Sequence, residues 1–151
     1  MTPEQYLADL GLTLPAAPAP AANYVPYVRS GSLLYISGQI SQDDSGLITG
    51  KVGEDMDVAT AANAAKTCAL AILAQAKAAV GELSQIKRVV KLTGFVNSAP
   101  DFADQPEVIN GASDLMVAVF GEAGRHARAA VSAGALPRGV AVEIDAVLEV
   151  A

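Results

Sequence analysis

The stretch that decides the fold is GRHARAAVSAGALPRGVAVEIDAVLEV, residues 124–150. Its second half sets Val140, Val142, Ile144, Ala146, Leu148 and Val150 at every other position, the period of a half-buried strand. Its first half, Ala127 to Ala133, is almost all small or apolar, yet it carries Arg128. Between them, Leu136-Pro137-Arg138-Gly139 favours a chain reversal. The expectation is a closing antiparallel hairpin that sets Arg128 opposite Glu143. Arg128 then has two readings. It pairs with Glu143 on a wet sheet face, which adds about 0.2–1 kcal/mol. Alternatively it holds an anion, since a guanidinium grips a carboxylate through two parallel hydrogen bonds and keeps its charge. Local spacing leaves both open.

Working back towards the N-terminus, Pro106 to Phe120 reads as a helix. Val108, Ala112, Leu115 and Val119 form its buried face, Ile109, Met116 and Phe120 widen it, and Gly121 and Gly124 end it. Ile86 to Asn97 is a strand rich in Val, Leu and Phe. Val58 to Val80 is a long helix with Ala61, Ala65, Cys68, Ile72, Ala76 and Val80 on one stripe and Gly81 as its stop. Gln42 to Gly53 is polar and Gly-punctuated, a loop or irregular hairpin. Tyr24 to Arg29 and Ser32 to Ile40 pair as strands about Gly31. Leu14 to Ala22 is a Pro/Ala connector that cannot continue a helix, and Pro3 to Leu10 is a short helix capped by Thr2. Residues 1–22 thus read as a short helix plus a strap, and 23–151 as a single domain. The order is that of an α+β mixed sheet whose two main helices cover one face. The other face holds too many apolar residues to stay wet.

Bulk properties narrow the function. The 151 residues suit one domain with its own core. Apolar residues make up 52%, an excess that points to surface buried between subunits. A net charge of −6 and a pI near 4.6 oppose phosphate-backbone binding, which needs clustered Lys and Arg. Lys87, Arg88 and Lys91 are the one local basic cluster and suit a solvated strand edge. The single cysteine, Cys68, excludes an internal disulfide and sits on an apolar stripe, which suits a buried thiol. No run approaches the roughly 18 apolar residues of a membrane span. The N-terminal stretch has Glu4 and Asp9 and no basic n-region, so a cytoplasmic location is expected.

No P-loop, GxGxxG, HExxH, CxxC or GxSxG motif occurs. The one histidine, His126, lacks partners for a metal site. What remains is an ordered set: Val25-Pro26-Tyr27, Ile36-Ser37-Gly38-Gln39-Ile40, Val96-Asn97, Ala127-Arg128-Ala-Ala-Val131, Leu136-Pro137 and Val142-Glu143-Ile144-Asp145-Ala146. This order resembles the reactive intermediate deaminase family (RidA, or YjgF, historically labelled endoribonuclease L-PSP), over residues 23–151. The N-terminal helix and strap, PDFxDQPxVxNGASDL and GEAGRHAR resemble a longer subgroup of it.

The resemblance implies a chorismate-mutase-like fold and a homotrimer. In it the free sheet faces form a central barrel and the active sites lie in clefts between subunits. It implies hydrolysis of 2-imino or 2-enamino acids to 2-oxo acids and ammonia without cofactor or metal. By the same carry-over, Arg128 grips the substrate carboxylate, Glu143 organises water or moves a proton, and Tyr27 and Ser37 belong to the site. Asn110 falls where the family has an asparagine, although the helical period points it off the apolar stripe. The family's cysteine two residues after the arginine is Ala130 here, and the glycine before Pro-Tyr is Val25. A non-catalytic trimeric sensor of a small carboxylate metabolite is the alternative. An endoribonuclease is disfavoured by the acidity and by the lack of a basic surface bearing stacking aromatics. No nucleic-acid or membrane partner is expected.

Overall fold

The computed structural model describes residues 1–20 and 22–151; Ala21 of the Pro/Ala connector lies outside them. The elements run α1 (Pro3–Asp9), β1 (Tyr27–Ser30), β2 (Leu33–Ile40), a two-residue pair β3 (Gln42–Asp43) and β4 (Gly46–Leu47), α2 (Val58–Val80), β5 (Ile86–Asn97), α3 (Gln105–Phe120), β6 (Ala127–Ala133) and β7 (Val142–Val150). α2 begins where the Asp57 carboxylate accepts the Thr60 amide and buries Ala61, Ala65, Cys68, Ile72 and Ala76 as its period predicts. Its alanines let α3 approach closely: a side chain at Gly111 would run into the Ala62 carbonyl. No helix among the described residues is long and apolar enough to cross a membrane.

The five-stranded sheet has the order β1-β2-β7-β5-β6. β7 lies in the middle, antiparallel to β2 on one side and β5 on the other. Val142, Ile144, Ala146, Leu148 and Val150 all face the helices and are buried, so a fully paired central place suits this strand. Both α2 and α3 cover that same face. The opposite face leaves Val28, Tyr35 and Val131 exposed at 52%, 46% and 44%. In register, Val28 stands beside Tyr35 and Tyr35 beside Val147, while Phe95 sits between Val131 and Glu143.

One expectation fails. Ala127–Ala133 and Val142–Val150 do not form a hairpin. β6 pairs parallel with β5, Leu92 beside Arg128, and β5 separates it from β7. The chain does reverse at 136–139, but residues 134–141 pass across the end of β5 instead of closing a tight turn. Hairpin loops usually have two to five residues, and this connection is longer. Asn97 pins it: its Nδ2 donates to the Val140 carbonyl and its Oδ1 accepts Lys51 Nζ, which also reaches the Gly134 carbonyl. Parallel pairing of β5 and β6 is what a crossover through α3 allows.

The N-terminal segment is anchored. Thr2 and Gln5 form a reciprocal capping box, Leu7 is buried, and Glu4 accepts the Leu83 amide and pairs with Lys77. Further on, buried Gln75 donates to the Pro18 carbonyl.

Candidate functional site

The predicted site residues fall into two clusters on opposite faces of the sheet. Arg128 shares a register position with buried Leu92 and so points to the helix side. Glu143 is three positions from Ala146, the residue that Leu92 pairs with in β7, and alternation sends it to the open face. The Arg128–Glu143 ion pair is therefore not formed, and the anion reading of Arg128 survives.

At the β6 edge, Nη1 of Arg128 donates to Asn110 Oδ1 at 2.8 Å and to Ser113 Oγ at 3.1 Å, both on α3. Asn110 lies off the apolar stripe of α3, and that is why it is exposed and meets the guanidinium. Nε and Nη2 have no partner among the described residues. Ser113 was missed in the sequence. The signal available was its spacing, since Asn110 and Ser113 are three apart on one helix face. Ser113 Oγ lies 2.9 Å from His126 Nε2, and His126 Nδ1 lies 2.6 Å from the Gly124 carbonyl.

The second cluster forms where β2 is irregular. Its register with β7 shifts between Ile36 and Gln39, a bulge of the kind that re-aims side chains beside sites. Ser37 donates from Oγ to the Val25 carbonyl and from its amide to the Pro26 carbonyl. Gly38 thereby lies flat against the Glu143 carboxylate, where any side chain would collide with Oε2. Beside them is a cavity of about 480 Å³ lined by Pro18, Tyr24, Gly38, Leu47, Arg138 and Glu143, among others. Among the described residues Arg138 is the only non-glycine with positive φ, at 58°.

Burial raises the Glu143 carboxyl above the ordinary glutamate range, and the neighbouring Asp145 carboxylate adds to this. Burial likewise raises Asp145, against hydrogen bonding from Thr93 and the charge of Lys91. A carboxyl raised in this way keeps its proton more readily than an ordinary one, which suits a group that takes a proton and returns it. Tyr27 stands on β1, the sheet edge farthest from Arg128, half-buried and paired with Ile36. Cys68 is fully buried, with Sγ on the Val142 carbonyl, and burial drives its thiol far above the usual range, so it is inert.

A family model described as "YjgF/chorismate_mutase-like, putative endoribonuclease" matches residues 4–144. The chain is 53% identical to Protein TCP17 of Trypanosoma cruzi, across 95% of this chain and 91% of that protein. The crystal structure of Atu1372 from Agrobacterium tumefaciens, whose function is unknown, superimposes with a TM-score of 0.93 at 54% identity, covering 99% of this chain and 92% of that one. RidA from an Antarctic Psychrobacter superimposes with a TM-score of 0.60 at 31% identity, covering 89% and 94%.

Proposed function

The chain belongs to the YjgF/chorismate mutase-like family, and from that premise we propose that it is a cofactor-independent hydrolytic deaminase of 2-imino and 2-enamino acids. The observation that carries this is Arg128, which α3 holds by one nitrogen while Nε and Nη2 have no partner among the described residues. Such a fork matches the planar carboxylate of a small 2-imino acid. The enamine form tautomerises to the imine. Water then adds to C2, a carbinolamine forms, and its collapse gives the 2-oxo acid and ammonia. Glu143 takes the proton of the attacking water and returns it to the departing nitrogen, a role suited to its raised pKa. Holding an already reactive imine in place supplies much of the rate. The similarity to a protein named RidA agrees with this reading.

Within one chain Arg128 and Glu143 lie on opposite sheet faces, so the proposed site needs a second copy. We infer a homotrimer in which the open sheet faces meet and the Arg128 edge of one protomer closes on Glu143 of the next. Exposed Val28, Tyr35 and Val131 support that packing. The test is ammonia release from 2-iminopropionate generated in situ by an amino-acid oxidase. The protein should accelerate it, and Arg128→Ala should abolish both acceleration and pyruvate binding. Arg128→Lys should recover little, because an ammonium lacks the fork. Pyruvate binding without acceleration would make the protein a carboxylate sensor, a reading that Ala130 in place of the family's thiol would then favour.

A further inference from the structure

We propose that His126 and Ser113 are positioning residues that fix how Arg128 presents itself, so that a substrate carboxylate is taken by the Nε–Nη2 edge alone. The inference rests on the reading of Arg128 as a carboxylate clamp. A carbonyl oxygen only accepts, so the 2.6 Å contact to Gly124 requires the proton on His126 Nδ1. The neutral ring then carries its lone pair on Nε2, and the Ser113 hydroxyl, 2.9 Å away, donates to it. That leaves the Ser113 oxygen lone pairs to accept Nη1 of Arg128 at 3.1 Å, while Asn110 accepts the other Nη1 hydrogen at 2.8 Å. Every bond in the chain runs one way, from guanidinium to hydroxyl to imidazole to carbonyl. The far end is rigid, because Gly124 packs on the Met116 carbonyl with no room for a side chain.

Both hydrogens of Nη1 are thus spent on the protein, and the end-on fork is closed to a ligand. The side-on pair, Nε–H and one Nη2–H, is what remains. Without the Ser113 hydroxyl, or without the imidazole that orients it, Nη1 loses one of its two anchors. The guanidinium is then no longer held in its side-on presentation, and the grip on a carboxylate weakens.

Pyruvate binding by calorimetry on the intact protein tests this. Ser113→Ala and His126→Ala should each raise the Kd for pyruvate about tenfold, the usual scale for one charge-assisted hydrogen bond. Ser113→Thr, which keeps the hydroxyl, should restore it. In turnover of 2-iminopropionate the loss should fall on KM and leave kcat largely intact. Wild-type affinity retained in both variants overturns the relay while the clamp stands. Failure of the wild type to bind pyruvate overturns the clamp, and the relay with it. Should Ser113→Ala not fold, His126→Ala decides with the Ser113→Thr rescue.

Discussion

At the scale of single residues, Glu143 and Gly38 show how a site costs stability. The Gly38 backbone takes the space of a side chain so that the carboxylate can sit half-buried beside Asp145. A carboxyl whose pKa is higher in the folded than in the unfolded state favours the fold while protonated. That contribution is complete below the unfolded value and is lost as pH rises through the folded one. Glu143→Gln, which stays neutral, should therefore melt at the wild-type temperature in acid and above it at neutral pH and beyond. Its deaminase turnover should fall over the same range while pyruvate affinity holds, since Arg128 supplies that contact. Thermal melts across the carboxylate and neutral range check the first outcome. A melting gap that closes as pH rises would show that Glu143 is not held above its ordinary range.

At the scale of elements, the main helices and strands were legible because each carries a complete local signal. α2 has a cap, a stripe and a glycine stop, and β7 alternates without a break. Strand order was not legible. A Pro-Gly reversal between two apolar runs predicts a hairpin, and nothing local reports that β5 will come between them. The deciding facts are non-local: two crossovers that put α2 and α3 on one face, and the Asn97 bonds that tie residues 134–141 across the sheet end. The same gap hid the relay, since Ser113 and His126 meet only once α3 lies against β6. Asn97 is buried and serves both the Val140 carbonyl and Lys51 Nζ. Asn97→Ala should lower stability by about 2–3 kcal/mol, two hydrogen bonds and one carbonyl left without its partner. Urea unfolding should show a lower midpoint at unchanged m-value. A midpoint within error of wild type would mean that the crossing is held by its backbone bridges alone.

At the scale of the whole molecule, the question is what covers the open sheet face. A half-wet antiparallel face normally alternates polar residues outward, but here Val28, Tyr35, Val147, Phe95 and Val131 form lateral rows across strands. Glu143 and Asp145 lie among them, both already raised by burial within one chain. Packing three such faces around an axis would bury the apolar rows and bring the Arg128 edge of one copy towards Glu143 of the next. Val131 is the residue to change. It is exposed on the edge strand, beside Phe95 in register, and on the sheet face opposite to the one Arg128 points to. Val131→Asp adds a charge that costs little in an isolated chain and several kcal/mol if desolvated between subunits. Light scattering and sedimentation should give three chains per particle for the wild type at micromolar concentration and a folded single chain for the variant. Deaminase activity should vanish with the trimer. A wild type that sediments as one chain, or a monomeric variant that keeps turnover, would remove the shared site and require Arg128 and Glu143 to act apart.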